Sequence, residues 1–316
     1  MGGDQGRAIV ISTENTNSAD PVLDAGGSEQ PAVVALGGGH GLAATLRAAR
    51  GYAGSLTGLV SVGDDGGSSG QLRADLGVAP PGDIRRCISA LAADDTLLSQ
   101  TLEYRFDQGP LTGHPIGNLL LAGLTMVSGD FQVAIDELCR LVGVTGSIFP
   151  ATMVPVSLLA DSDQGTLIGQ VRIELATGIR NVRFDPPDPP VAACAIRAVR
   201  SADQVVIGPG SLFTSVLAAA VVPGIRQALQ DTGGQRVFVA NVANEIGMAH
   251  GFGLAEHIDA LLDHGVKIDV VVADHASPSV DRLAPLVVQA DVAAADGWGH
   301  DPAKLGPVLH QVYLNR

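Results

Sequence analysis

Ala32-Val33-Val34-Ala35-Leu36 runs directly into Gly37-Gly38-Gly39-His40-Gly41 and then into Leu42 to Arg50 (LAATLRAAR). The order is short apolar run, glycine turn, alanine-rich helix, and it predicts a buried strand feeding a helix. The same grammar returns twice. Leu56 to Val62 ends in Gly63-Asp64-Asp65-Gly66-Gly67-Ser68-Ser69-Gly70, and Gln204 to Ile207 feeds Gly208-Pro209-Gly210-Ser211-Leu212-Phe213-Thr214-Ser215. Strands alternating with helices argue for an α/β fold, a mostly parallel sheet with helices on both faces. All strand C-termini of such a sheet lie on one edge, where open α/β folds bind ligands, so the three loops are expected to meet there.

The other segments fit around this frame. Helices are expected over Ile84 to Ala93 with Asp83 as N-cap, Leu97 to Phe106, Leu119 to Val127 and Phe131 to Leu141. Short strands follow at Val154 to Leu159, Gly165 to Leu175 and Asn181 to Phe184, closed by a proline cluster at 186–190. They predict a small β-rich insertion around residues 150–190. Helices are then expected at Val191 to Ser201, Val216 to Val221, Ile225 to Gln230 and Gly253 to His264. Strands are expected at Arg236 to Ala240, with Asn241 at its end, at Ile268 to Ala273, at Leu286 to Val288 and at Val308 to Val312. Residues 1–30 are polar and glycine-rich and read as a flexible leader, with residues 31–316 forming one domain.

Composition narrows the function classes. The chain has 19 basic and 33 acidic residues, a formal charge of −14, and lysine only at Lys267 and Lys304. No basic patch offsets that charge, so a nucleic-acid partner is not expected. Cys87, Cys139 and Cys194 lie far apart without metal-ligand spacing, and are expected as buried reduced thiols. The N-terminus lacks a basic region leading into a long apolar run, and no apolar segment reaches about 18 residues. A cytoplasmic protein without a membrane partner is expected. Whether it forms a homo-oligomer is left open.

The glycine loops supply the candidate site. Glycine lets backbone N–H groups approach an oxyanion, and a following helix adds its positive end. A phosphate or diphosphate is the natural guest of Gly38, Gly39, His40 and Gly41, of Gly66, Gly67, Ser68 and Ser69, and of Gly210, Ser211 and Thr214. The first loop lacks the third glycine of the dinucleotide fingerprint, and no Walker lysine follows it. Asp64 and Asp65, adjacent in a glycine and serine nest, fit a divalent cation such as Mg²⁺ or ligand hydroxyls, with plain turn chemistry as the alternative. Neighbours on an extended segment do not point to the same place, so one of the pair is open to a structural role. Arg73, Arg85 and Arg86 suit phosphate or a nearby carboxylate equally. His114 and Asn118 flank an apolar helix. No serine-hydrolase elbow or paired-histidine metal motif is present.

Five segments together carry a resemblance: Ala32 to Gly41 (AVVALGGGHG), Leu59 to Leu72 (LVSVGDDGGSSGQL), Pro80 to Arg85 (PPGDIR), Gly113 to Leu121 (GHPIGNLLL) and Val206 to Ser215 (VIGPGSLFTS). In this order they resemble the gluconeogenesis factor family, bacterial nucleotide-sugar-binding proteins linked to cell shape and to growth on gluconeogenic carbon sources. That family is related to the 2-phospho-L-lactate transferases. The resemblance, from Ala32 to the end of the chain, implies a Rossmann-like three-layer core and a UDP-sugar ligand. It places the diphosphate over Gly38 to Gly41 and the helix start behind Gly210 to Thr214, with sugar or base toward Asn118 and Asn241. It also implies the alternative of a Mg²⁺-dependent phosphoryl-group transferase, in which Asp64 or Asp65 serves at the metal and in catalysis. Two departures stand out. His40 replaces the family's usual threonine, and Val242-Ala243-Asn244-Glu245-Ile246-Gly247-Met248-Ala249-His250-Gly251 replaces its usual segment after Asn241. Glu245 and His250 are candidates for the lost contacts.

Overall fold

The computed structural model describes residues 9–10, 30–92, 96–243, 252–277 and 286–316. The two-residue strand β1 (Ile9–Val10) precedes β2 (Ala32–Gly37), α1 (Gly39–Ala49) and β3 (Ser55–Val60). A helical region follows: α2 (Gly67–Leu76), α3 (Gly82–Leu91), α4 (Leu97–Glu103), α5 (Ile116–Ser128) and α6 (Phe131–Val142). It ends at β4 (Ser147–Pro150), and the insertion comes next as β5 (Ser157–Ser162), β6 (Gly165–Ile168), α7 (Gln170–Glu174) and β7 (Arg180–Asp185). The chain then builds α8 (Ala193–Arg200), β8 (Gln204–Ile207), a π-helical turn (Leu212–Val216), α9 (Leu217–Ala220) and α10 (Pro223–Asp231). It closes with β9 (Gln235–Val239), α11 (Leu254–Asp263), β10 (Val270–Asp274), β11 (Leu286–Ala290) and α12 (Pro302–Leu314).

The main sheet runs β1-β11-β10-β9-β8-β2-β3-β4, and every pairing in it is parallel. Strands buried on both faces explain the unbroken apolar runs read from the sequence. Val33 and Ala35 of β2 face a core built with α1, α3 and α12, while Val34 and Leu36 face one built with α8, α9 and α10. That is the expected three-layer α/β arrangement. The insertion is a small antiparallel sheet, β6-β5-β7, whose Leu158, Leu167, Val182 and Phe184 join the second core.

From β2 the chain moves outward through β3 to β4, and from β8 it moves outward the other way through β9 to β11. The order therefore reverses between β2 and β8, and their C-terminal ends frame the crevice that such a reversal opens. Close backbone approach holds the crevice together. A side chain at Gly41 would collide with the Pro209 carbonyl, and Thr45 donates its hydroxyl to the Gly208 carbonyl at 2.8 Å.

Several local expectations are corrected. Gly165 to Leu175 is not one strand: Gly169 takes φ +97, which ends β6 and starts α7. Val308 to Val312 is helical, because Asp301 caps α12 by accepting the Ala303 amide at 2.9 Å and Pro302 opens it. Asp83 is not the cap of α3. Pro81 holds that position, and the Asp83 carboxylate turns to Arg86 at 2.7 Å. The second glycine loop is shorter than expected, since α2 already begins at Gly67. Cys87 is buried, but Cys139 is partly exposed and Cys194 exposed, so the expectation of buried thiols fails there; the three are unbridged. Among the described residues no single helix is long and apolar enough to cross a membrane.

Two glycine substitutions separate close approach from simple flexibility. Gly41→Ala is expected to cost about 1–3 kcal/mol by overpacking the β2–β8 crevice. Gly123→Ala, in the exposed middle of α5 with open space around it, is expected to add about 0.5–1 kcal/mol. Urea denaturation of both variants measures the contrast.

Candidate functional site

The loops after β2, β3 and β8 do meet, and two cavities open at the meeting point. The larger, about 670 Å³, is lined by His40, Gly41, Arg47, Arg86, Pro209, Gly210, Ser211 and Asn241, with the segment 294–302 as its far wall. The smaller, about 320 Å³, is lined by Gly39, Asp64, Gly66 to Ser69, Gly82, Asp83, Arg85, Arg105 and Asn118. Arg86 lines both.

Helix starts surround the smaller cavity. Residues from the first turns of α1, α2, α3 and α5 line it. None of these four helices is capped by the side chain of its N-cap residue, which is glycine or proline in each case. Helices α4, α6 and α12 carry Thr96, Asp130 and Asp301 as side-chain caps instead. The Gly82 amide of α3 is taken by Ser69 Oγ at 3.1 Å, but the other first turns point their amides and positive dipole ends toward the space, which is the chemistry of an anion site.

The polar side chains divide by role. Asn118 is buried; its Nδ2 donates to Ser68 Oγ at 3.1 Å and its Oδ1 has no partner among the described residues. Ser68 Oγ also meets His114 Nδ1 at 2.9 Å. Arg85 is buried against Glu103, with its Nε left unpartnered among the described residues. Asn241 clasps Gly210 at both backbone atoms, donating to its carbonyl at 3.0 Å and accepting its amide at 2.9 Å. It shapes the third loop and also lines the larger cavity.

Four expected residues stand behind the walls. Asp65 accepts the Val171 amide at 3.0 Å and so ties the second loop to α7. Asp64 and Asp65 therefore do not converge on one point. Arg73 donates to the Val156 carbonyl at 2.6 Å. Thr214 is buried and donates to Ser211 Oγ at 2.9 Å or Glu174 Oε1 at 3.2 Å. Gly38 is buried with the Asp83 carboxylate just above it, leaving no room for a side chain. Glu245 and His250 lie outside the described residues.

The residues missed from sequence are as telling. Asp83, read as a cap, lines the smaller cavity beside Asp64. Arg86, weighed with its neighbours, sits where the cavities join. Gln170 and Glu174 arrive from α7, which had been read as strand, and Trp298 and His300 arrive from the far end of the chain. The sole tryptophan was the available signal for that last wall.

A family model described as 2-phospho-L-lactate transferase CofD matches residues 33–304. The chain belongs to the CofD family. It is 43% identical over 308 residues to a Mycobacterium tuberculosis protein named "putative gluconeogenesis factor", covering 89% of this chain and 90% of that one. It is 40% identical over 257 residues to the gluconeogenesis factor of Halalkalibacterium halodurans, covering 79% of each. A crystal structure of a UPF0052 family member from Bacillus halodurans superimposes with a TM-score of 0.84 at 33% identity, covering 90% of this chain and all of the other.

Electrostatics in this CofD-family site are poised rather than neutral. Burial raises the Asp64 pKa, and the Asp83 charge adds to the rise against hydrogen bonds from Gly66 and Ser69. Partial enclosure lowers the His40 pKa, helped by Arg86. Burial lowers that of His300 to about 4. Among the described residues no group of three or more His, Cys, Asp or Glu side chains is arranged to hold a metal by itself.

Two consequences are measurable. In metal-free buffer at neutral pH, Asp64→Asn is expected to raise the melting temperature by about 2–4 °C, because the amide removes a charge held at a cost. His300 stays neutral in the native state down to about pH 4, while the unfolded chain takes up its proton near 6.5. Its contribution is complete above pH 6.5 and is lost as pH falls toward 4, by about 3 kcal/mol at most. Denaturant titrations of wild type and His300→Gln across that window are expected to diverge by that amount.

Proposed function

We propose that this CofD-family protein is a gluconeogenesis factor that binds a UDP-sugar and acts on cell shape and carbon flow through that binding. One observation carries the reading: uncapped helix starts and glycine loops surround two cavities joined at Arg86. Their size falls in the range of small-molecule sites. A diphosphate at the junction would meet backbone amides and Arg86, and the two ends of the ligand would extend into separate compartments. Arg47 in the larger cavity, and Arg85 and Arg105 in the smaller, add positive charge around it.

The second reading, metal-dependent phosphoryl-group transfer, is favoured by one feature. Asp64 and Asp83 line the same cavity and repel one another. Mg²⁺ takes one or two carboxylates together with substrate phosphate oxygens, so these side chains fit such an ion once a phosphorylated ligand is present. The metal would supply charge neutralisation at the phosphate. The chain's own part would be to align the phosphoryl group by its helix starts and Arg86.

Isothermal titration with UDP-N-acetylglucosamine and UDP-glucose, with and without Mg²⁺, tests both. Saturable binding of a UDP-sugar is expected. Arg86→Ala is expected to weaken it about ten- to hundred-fold, the worth of a charge-assisted hydrogen bond to phosphate. Absence of binding to either sugar nucleotide removes the first reading. Turnover that needs Mg²⁺ and is lost in Asp64→Asn or Asp83→Asn with little change in affinity establishes the second.

A further inference from the structure

A helix at a protein surface normally turns a polar face to water. Helix α5 does not. Between Asp107 and Asp130 the chain holds no Asp, Glu, Lys or Arg, and α5 lies wholly inside that stretch. Gly117, Asn118, Leu121 and Ala122 are buried and form its inner face. On the opposite side Ile116, Leu120, Gly123 and Val127 recur at helical spacing and form one apolar stripe, flanked by Leu124 and Met126. Leu120 is 39% exposed, Met126 61% and Val127 89%, so the described residues leave this face largely uncovered.

The uncharged surface continues past the end of the helix. Met126 also lines a cavity of about 300 Å³, with Leu76, Val78, Phe131, Met153 and Val154 among its apolar walls and no charged residue in its lining. Contiguous exposed apolar surface marks an interaction site.

Charge and shape choose among the occupants. A helix lying on a lipid surface carries Lys and Arg beside its apolar face to hold anionic headgroups, and α5 has neither. At 13 residues it is too short to span a bilayer. A second copy of this chain fits better. Two chains of formal charge −14 repel one another over most of their surfaces, and this face lets them touch without bringing like charges together. A two-fold contact also requires a patch that is complementary to itself. Leu120 lies three residues before Gly123 and Val127 three residues after Leu124. Antiparallel copies of α5 crossing at Gly123 and Leu124 therefore set each Leu120 against the partner's Val127.

We propose that α5 is a homodimer contact: two copies of the chain pack this helix antiparallel about a two-fold axis near Gly123 and Leu124. The open space at Gly123 gives the helices room to approach. The contact does not depend on the ligand reading above. It bears on the site all the same, because Asn118 on the inner face of the same helix lines the smaller cavity.

Analytical ultracentrifugation of the full chain at micromolar concentration tests this, with circular dichroism and Tm values to show that each variant is folded. Wild type is expected to sediment as a dimer. Leu120→Glu and Val127→Lys each place an unpaired charge in the contact, and each is expected to weaken association about a hundred-fold or more, which leaves monomers. Val127→Lys is harmless to the monomer, since Lys suits the last turn of a helix. An equimolar mixture of the two variants is expected to recover the dimer. In the antiparallel register the introduced carboxylate then faces the introduced amine at one end, and Val127 faces Leu120 at the other. A wild type that stays monomeric overturns the proposal: flotation with phosphatidylcholine vesicles then assigns the face to a lipid surface, and its absence to a different protein. Two variants that both remain dimeric overturn it as well, as does a mixture of two monomeric variants that fails to recover the dimer.

Discussion

The contact between the first and third glycine loops governs the rest of the molecule. Gly41 lies directly beneath the Pro209 carbonyl, and the Thr45 hydroxyl reaches the Gly208 carbonyl behind it. This joint sits where the strand order reverses, so the backbones after β2 and β8 leave in opposite directions. The cavity is thus a product of topology, lined by main chain that glycine alone lets come so close. Every other element at the site is placed relative to that joint: α3 brings Asp83 over Gly38, and β9 brings Asn241 to clasp Gly210.

A chain with a net charge of −14 is an unpromising receptor for phosphate by its overall field. The proposed phosphate site relies on short-range means. Amides in uncapped first turns and a few arginines act within one hydrogen-bond length, where net charge matters less than local geometry. Burial is the main cause of the raised Asp64 pKa, and the nearby Asp83 charge adds to it. Two carboxylates share a small space with Arg86, and Arg86 is already committed to Asp83 at 2.7 Å.

How much of this could be read in the sequence follows from what kind of force sets each feature. The glycine loops were legible because a tight turn after a buried strand requires glycine, and their meeting followed from parallel pairing. The direction of Asp65 was not legible, since its amide partner Val171 is 106 positions away in the chain. Arg73 is a similar case: adjacency to the acids made it a phosphate candidate, while the Val156 carbonyl it donates to was not legible in the sequence. The weak alternation at 308–312 suggested a strand, while the decisive signal, Asp301-Pro302, lay several residues earlier. Arg86 and Asp83 were visible as residues but not as neighbours of a cavity, because the turn of α3 that aims them is set by where Pro81 ends the preceding loop.

The Asp65 clasp on α7 has a wider consequence. It links the small antiparallel sheet to the one loop that also carries Asp64, while Gln170 and Glu174 of that sheet's helix reach the cavities. The glycine loops belong to the parallel framework, and α7 beside them belongs to a module that also packs Leu158, Leu167, Val182 and Phe184 into the main core. With that division, the cavity-facing Gln170 and Glu174 of α7 can change without disturbing the glycine joint between β2 and β8.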